Sequence, residues 1–186
     1  NERKLTERAV ARWNAIWRGA KTNLSETRVH CCSQVRRKSV VQPFNLLFIC
    51  THNRCRSILA EAIANTRFDG VFRAFSAGSQ PTGEIHPLTL KFLAARGLPT
   101  ESLASQSWDE FYDHDFDLVI TVRASAANEP CPLWMREARR AHWGMPDPSR
   151  VTGNEADVER AFLSVMDALE SQLSTLQSQL LENVRI

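Results

Sequence analysis

The chain has 186 residues, of which 43% are hydrophobic and 24% are charged, and its formal net charge is +2. This composition is typical of a soluble globular protein, and no apolar run approaches the length of a membrane helix or resembles the apolar segment of a secretory signal. Five cysteines fit a reducing cytosol better than a disulfide framework, so we expect a cytoplasmic protein with no membrane partner.

Charge divides the chain into two parts. Residues 1–43 carry ten Lys or Arg against three Asp or Glu, a net +7, whereas residues 44–186 carry thirteen against eighteen, a net −5. We predict a basic amino-terminal extension over residues 1–43, partly helical (about residues 4–18) or disordered, and a folded domain over residues 44–186. Contact with nucleic acid is one interpretation of the extension, but we favour a solvated segment and expect no nucleic-acid partner.

The cysteines of the extension do not predict a metal site. Cys31 and Cys32 are adjacent and follow His30, so they lack the spacing of about two to four residues that separates typical zinc ligands. We therefore predict that the chain binds no metal.

The first predicted elements of the domain are a strand, a tight loop and a helix. Four apolar residues ending at Cys50 suit a strand buried on both faces. Helical periodicity follows Ser57 and places Glu61 on the polar side of the helix. A loop between the carboxyl end of a strand and the amino end of a helix directs several backbone N–H groups to one point, where the helix dipole favours negative charge. The segment therefore predicts an anion site.

The residue types in this loop indicate a thiolate nucleophile beneath a tetrahedral oxyanion. Helix amino termini and nearby cations lower the pKa of a thiol, so we expect Cys50 to be a thiolate. The Arg56 guanidinium matches two oxygens of a phosphate-like ion, and Ser57 can donate a hydrogen bond to the sulfur when it leaves. A structural cysteine followed by a surface arginine is the simpler interpretation, but the Cys-x5-Arg-Ser pattern in this context argues against it. The predicted oxyanion-binding residues are Thr51, His52, Asn53, Arg54, Cys55 and Arg56.

The remaining elements alternate between strand and helix. The pattern predicts strands over residues 71–76, 116–122 and 140–144, helices over residues 87–95 and 155–182, and a short helix capped by Ser105 or Ser107 and running through Tyr112. Strands separated by helices predict an α/β fold, a parallel sheet with helices on both faces and a site outside the carboxyl ends of the strands.

The loop and several later segments resemble the low-molecular-weight protein tyrosine phosphatase-like family, a fold that phosphatases share with a group of bacterial arsenate reductases. The resemblance covers about residues 44–180, and the segment after Cys50 is closer to the reductases. The other matching segments are residues 76–79, 86–87, 106–111, 117–122 and 141–148. The resemblance implies a three-layer α/β/α sandwich around a four-stranded parallel sheet in the order 2-1-3-4.

The resemblance also implies a general acid. Asp147 lies between two prolines, whose restricted backbone limits where the carboxylate points. An ordinary Asp-Pro turn is the simpler interpretation, but in the family this Asp-Pro overhangs the anion loop and protonates the leaving oxygen. Tyrosines commonly follow this position in the phosphatases, whereas Ser149 and Arg150 follow it here.

Regeneration of the nucleophile is where the chain departs from the family pattern. Many arsenate reductases on this fold carry Cys-Asp after the third strand and Cys-Pro a few residues later. This chain has Arg123 at the first place and keeps Cys131 at the second. The candidate redox thiols are therefore Cys131, which is alternatively an unreactive small hydrophobe, and Cys55. An external thiol such as glutathione with glutaredoxin, mycothiol or thioredoxin is the other route.

We therefore predict an enzyme that reduces arsenate to arsenite with external thiols and no tightly bound cofactor. Cys50 is the predicted nucleophile, Arg56 binds the oxyanion, Asp147 is the acid, Ser57 supports the thiolate and Asn53 holds the loop's shape. His52 is expected at the solvent edge rather than as a base. Expected partners are arsenate or a phosphate-like oxyanion and a thiol-redox protein. The alternatives are a phosphomonoester hydrolase working through a cysteinyl-phosphate, and an inert anion-binding regulatory module.

Overall fold

The structure, a computed structural model, describes residues 42–124, Pro132 and residues 138–184. The predicted basic extension, its helix over residues 4–18 and the candidate thiol Cys131 lie outside the described residues, so these stay predictions. Gln42–Val184 form a compact unit. Among the described residues, no helix is both long enough and apolar enough to cross a membrane.

Four parallel strands form the sheet, in the order β2-β1-β3-β4. The strands are β1 (Phe44–Cys50), β2 (Phe72–Gly78), β3 (Leu118–Thr121) and β4 (Arg139–His142). The predicted α/β fold class and strand order are confirmed.

The strand ends differ from the predicted ones because pairing, rather than residue type, sets them. The ladder between β1 and β2 continues until Cys50 lies opposite Gly78, two residues beyond the predicted end. The ladder between β3 and β4 stops where Thr121 pairs with His142, so both strands end before their predicted limits.

The helices are α1 (Arg56–Arg67), α2 (Pro87–Ala95) and α3 (Glu155–Val184), with 3-10 turns at Trp108–Phe111 and Pro148–Arg150. The predicted helices over residues 87–95 and 155–182 are confirmed, the second with two more residues. Of the two candidate caps, Ser107 caps the first 3-10 turn, since its hydroxyl accepts from Asp109 N and the Glu110 carboxylate accepts from Ser107 N.

Alternate residues of β1 supply two apolar clusters, one on each face of the sheet. Leu46 and Phe48 belong to the cluster that contains the buried residues of α1, α2 and α3. Leu47 and Ile49 belong to a smaller cluster with Phe111 of the first 3-10 turn.

The prediction that Glu61 lies on a polar side of the helix, now α1, is wrong. All residues of α1 from Arg56 to Ala64 are buried, and Glu61 is only 9% exposed. The helix is covered on more sides than its periodicity indicates, because α3, β1 and β2 all pack against it.

Candidate active site

Cys50 ends β1 and lies at the floor of the predicted anion loop. The residue is 3% exposed, and its sulfur lies 3.2 Å from the backbone nitrogen of Asn53 and 3.1 Å from the hydroxyl oxygen of Ser57. The loop can approach the sheet this closely because Gly78 stands opposite Cys50. A Cβ atom at Gly78 would lie 2.8 Å from the carbonyl oxygen of Thr51, closer than packed atoms tolerate.

The hydrogen bonds of Asn53 fix the direction of its neighbours' hydrogen bonds. The backbone N–H of Gln106 can only donate, and it lies 2.7 Å from Oδ1 of Asn53, so the amide Nδ2 must face the other way. Nδ2 donates to the hydroxyls of Ser57 (2.9 Å) and Ser76 (2.8 Å). The Ser57 hydroxyl hydrogen is then free to donate to Cys50. The sulfur thus accepts two hydrogen bonds, one from the backbone N–H of Asn53 and one from the Ser57 hydroxyl.

The backbone of the loop turns its carbonyl groups away from Cys50. The N–H groups of the segment after β2 hold three of these carbonyls: Gln80 N donates to Thr51 O (2.8 Å), Thr82 N to His52 O (3.2 Å) and His86 N to Arg54 O (3.0 Å). The hydroxyls of Ser105 and Thr89 add further bonds to His52 O and Arg54 O. Since the carbonyls are occupied on the outside, the loop amides are left to bind an anion on the inside.

Two sets of donors at the start of α1 have no side-chain partner within the part of the chain that the structure describes. The helix begins after Cys55 with no side-chain cap, so the N–H groups of its first turn remain unoccupied by side chains. Arg56 is 8% exposed, and its Nε is buried without a hydrogen-bond partner among the described residues. Buried N–H donors rarely stay unpaired in folded proteins. An oxyanion seated at the helix amino terminus would satisfy both sets.

Asp147 reaches the site through Arg56. The Arg56 Nη2 atom lies 3.1 Å from Oδ2 of Asp147, and Nη1 donates to the carbonyl oxygen of Met145 at 3.2 Å. Ser149 holds the other carboxylate oxygen, since its hydroxyl and its backbone N–H donate to Oδ1 at 2.7 and 3.2 Å. Arg150 adds a second cation at 3.7 Å. The structure thus places the predicted acid beside the predicted anion-binding arginine.

The pKa of Asp147 is lower than that of an ordinary aspartate. Burial on its own raises this pKa, but the hydrogen bonds from the Ser149 hydroxyl and N–H and the charges of Arg56 and Arg150 together outweigh burial. Asp147 is therefore a carboxylate in the resting site. It can become an acid once a bound oxyanion shares Arg56 and adds negative charge beside it, because both changes raise the pKa of the carboxyl group.

Cys55 lies in the same loop in a less reactive setting than a redox thiol needs. The side chain is 2% exposed, and burial raises the pKa of its thiol to about 12, although a hydrogen bond with Thr89 lowers it somewhat. Thiolate is the reactive form of cysteine and is scarce at neutral pH when the pKa is so high. The role of Cys55 as a redox thiol stays a prediction that its surroundings disfavour.

His52 and Arg54 lie at the rim of the loop, and both are partly exposed. This position fits the expectation of a solvent-edge residue for His52.

Sequence reasoning missed four residues that shape the site. Ser76 and Gln106 orient Asn53, Gly78 gives the loop its space, and Ser149 fixes Asp147. The Asp-Pro-Ser order was a usable signal for Ser149, because an Asp before a helical turn commonly accepts from the N–H two residues on. Ser76 and Gln106 carried no such local signal, since their partner lies 23 and 53 residues away.

Comparisons with known proteins agree with this geometry. The family profile of the low molecular weight phosphotyrosine protein phosphatases matches residues 45–186. Arsenate reductases of Bacillus licheniformis and Bacillus subtilis are each 31% identical over 128 residues, which is 69% of this chain and 91% of theirs. The solved arsenate reductase of Archaeoglobus fulgidus is 26% identical, with a TM-score of 0.57 over 69% of this chain and 98% of that one. The chain belongs to the low molecular weight phosphotyrosine protein phosphatase family.

Proposed function

We propose that the protein reduces arsenate to arsenite with Cys50 as the nucleophile. The observation that carries the proposal is the set of donors at the start of α1 that lack a partner in the described part of the chain. The most telling of them is the buried Nε of Arg56, in the same loop as a sulfur that accepts two hydrogen bonds. The names of the curated relatives from two Bacillus species support arsenate as the oxyanion.

The first step adds arsenic to Cys50. The thiolate attacks the As(V) atom, a sulfur–arsenic bond forms and an arsenic–oxygen bond breaks. Asp147 protonates the leaving oxygen, which departs as water or hydroxide, while Arg56 and the loop amides hold the remaining oxygens. Ser57 donates to the sulfur throughout and stabilises it again when it leaves.

The second step reduces arsenic. A thiolate attacks the Cys50 sulfur, the sulfur–arsenic bond breaks, and its electron pair stays on arsenic, which leaves as arsenite. Arsenic gains two electrons and the two sulfurs lose them as they form a disulfide. A further thiol then reduces that disulfide to return Cys50.

We infer that the attacking thiol is external. Cys55 has a thiol pKa of about 12 and so provides little thiolate, and Arg123 replaces the cysteine that the family relay would use. Glutathione with glutaredoxin, mycothiol, or thioredoxin would serve, which requires a reducing compartment. Cys131 stays the internal candidate, and its substitution decides between the two routes.

One assay separates arsenate reduction from the alternatives. The purified chain is given arsenate with glutathione and glutaredoxin, or with thioredoxin and its reductase, and in parallel an aryl phosphate without thiols. Arsenite formation that Cys50→Ser abolishes is the expected result, and Cys131→Ser should leave it intact if the reductant is external.

Two other outcomes would overturn the proposal. Thiol-independent phosphate release that needs Cys50, without arsenite formation, would show a phosphomonoester hydrolase, which the family's name makes the first alternative. If the assay detects neither activity, the remaining interpretation is an inert anion-binding module.

A further inference from the structure

The side of the site where Asp147 contacts Arg56, which we call the mouth, also holds a second arginine. The Nε atom of Arg150 lies 3.7 Å from Oδ2 of Asp147, the same oxygen that Arg56 Nη2 contacts at 3.1 Å. The exposed fraction of the side chains rises from 10% at Arg56 through 15% at Asp147 to 74% at Arg150. The three side chains therefore lead from the anion loop to solvent, and Arg150 is the outermost of them.

The backbone fixes the place of Arg150 at the mouth. The residue ends the second 3-10 turn, its N–H donates to the carbonyl oxygen of Asp147 at 3.2 Å, and α3 packs against this turn. The ion pair with Asp147 is longer than a hydrogen bond, and none of the described residues accepts a hydrogen bond from the guanidinium. The N–H donors of Arg150 are thus held beside the acid while they face solvent.

Cations outnumber acids in the segments that form the site. Residues 50–57 contain two arginines and no acid, and residues 145–151 contain Arg150 and the single acid Asp147. The balance stays positive even when the exposed Glu84 of the neighbouring segment is counted. A cleft lined mainly by one sign of charge raises the local concentration of solutes of the opposite sign. The mouth is therefore suited to an anionic reactant that arrives from solvent.

Arsenate does not need Arg150, because the donors that suit a small oxyanion lie deeper. These donors are the buried Nε of Arg56 and the N–H groups of the first turn of α1. Arg150 lies on the solvent side of Asp147, so it is placed to hold a group of the other reactant, the external thiol. Its planar guanidinium matches a carboxylate.

The structure of the thiol decides whether it can use this arginine. A tripeptide thiol such as glutathione has a carboxylate at each end and its sulfur in the middle. Its sulfur can enter the site while one carboxylate stays at the guanidinium. A neutral sugar thiol such as mycothiol offers no carboxylate.

We propose that Arg150 is a specificity-determining residue that binds a carboxylate of an anionic low-molecular-weight thiol, and that this thiol attacks Cys50. The thiol loses its proton to solvent, and its sulfur bonds to the sulfur of Cys50. The sulfur–arsenic bond breaks, and its electron pair stays on arsenic, which passes from As(V) to As(III). The product on the protein is a mixed disulfide with the thiol. This inference rests on the proposed reduction of arsenate by an external thiol.

The test compares glutathione with its diethyl ester, in which both carboxylates are esterified. Initial rates of arsenite formation below the KM for thiol give kcat/KM for each thiol, and the ratio of the two values measures the preference for the anionic one. Arg150 also lowers the pKa of Asp147, but this effect is common to both thiols and cancels in the ratio.

Arg150→Gln removes the charge, and Arg160→Gln is its matched control. Arg160 is 75% exposed on α3 and also pairs with an aspartate three residues before it. We expect the ratio to fall about threefold in Arg150→Gln, the size of effect that an exposed charge pair gives. The ratio should fall less in Arg150→Lys and not at all in Arg160→Gln.

Two results of this test would overturn the inference. The first is a ratio that stays unchanged in Arg150→Gln or falls equally in both glutamine variants. The second is arsenite formation with thioredoxin and its reductase but with neither small thiol, which would leave the proposed function in place.

A second measurement needs no arsenate. Iodoacetate, which is anionic, and iodoacetamide, which is neutral, compete for Cys50 in one sample, and mass spectrometry gives the share of each product. The share from iodoacetate should fall in Arg150→Gln and not in Arg160→Gln, and equal shares in all three proteins would contradict the inference. If that share falls while no thiol supports arsenite formation, the proposed function fails and Arg150 still selects anionic reactants at Cys50.

Discussion

Two carboxyl groups, Asp147 before the second 3-10 turn and Glu61 in α1, have surroundings that give them opposite protonation behaviour. At the mouth of the site, where Asp147 contacts Arg56, the hydrogen bonds from Ser149 and the charges of Arg56 and Arg150 outweigh burial and lower the pKa of Asp147. On the inner side, where α1 packs against the sheet, burial raises the pKa of Glu61 to about 7 against the opposing effect of a hydrogen bond with Ser76. The surroundings of Asp147 stabilise a carboxylate, which a bound oxyanion can convert to a neutral acid. The surroundings of Glu61 stabilise the neutral form of its carboxyl group. Environment, rather than residue type, sets which carboxyl group is ionised.

The largest expected effect comes from removing the guanidinium group of Arg56. Arg56→Ala should lower kcat/KM for arsenate by about 10³-fold or more, because it removes an oxyanion donor and the partner of Asp147 together. Arg56→Lys keeps the charge but loses the planar fork, so it should recover only part of the rate. Steady-state kinetics and calorimetric binding of phosphate measure both variants. A lysine variant as fast as the wild type would show that the fork is not needed.

Removing the proton donor of the mouth should have the next largest effect. Asp147→Asn keeps the shape of the side chain and should lower kcat by about 10²-fold, the usual contribution of general acid catalysis. Alkylation of Cys50 at alkaline pH should stay at the wild-type rate, because no leaving oxygen takes part in that reaction. Equal losses in both assays would mean that Asp147 maintains the loop instead of donating a proton.

The inner carboxyl group should appear in the pH dependence of stability. A carboxyl group whose pKa is raised in the folded state favours folding below its unfolded pKa, and this contribution is lost as pH rises to the folded pKa. For Glu61 the window runs from 4.5 to about 7, and the full loss is about 3 kcal/mol. Urea denaturation at the two ends of the window measures it. Glu61→Gln should flatten the dependence, and Glu182→Gln, the same change at an exposed site on α3, should not.

Adding a methyl group where the loop approaches the sheet should lower the stability of the fold. Gly78→Ala places a Cβ 2.8 Å from the Thr51 carbonyl oxygen, and we expect a loss of about 1–3 kcal/mol in the free energy of unfolding. Gly144→Ala is the matched control, because its Cβ would lie 3.3 Å from the ring nitrogen of a histidine side chain, His142, and 3.7 and 3.8 Å from the carbonyl oxygens of Ala124 and Arg123. Equal losses at the two glycines would indicate that the close approach at Gly78 relaxes freely.

The sequence predicted the mouth of the site better than its inner side. Cys50, Arg56 and Ser57 lie within eight consecutive residues, so a strand, a loop and a helix were enough to bring them together. Strand order followed from the family resemblance. The inner side depends on contacts across the fold: Ser76 meets Asn53 because β2 pairs in register with β1, and α1 buries Glu61 because three elements pack on it. Helical periodicity describes one helix at a time, so it placed this glutamate on a polar side and could not show that other elements cover that side.

The smallest expected effect tests whether Ser149 tunes the acid. Its hydroxyl donates to Asp147 at 2.7 Å and lowers the pKa of the carboxyl group, so Ser149→Ala should raise that pKa. If Asp147 must be protonated in the substrate complex, kcat falls as pH rises through its pKa there, and the variant should carry activity to higher pH. The effect should be small, because the Ser149 hydroxyl is one of several groups that hold this pKa down, beside Arg56, the Ser149 N–H and Arg150. Ser149→Thr keeps the hydroxyl and should leave the limb in place. A limb that does not move in Ser149→Ala, or that moves to lower pH, would assign it to a group other than Asp147, so this variant separates the acid at the mouth from the inner carboxyl group.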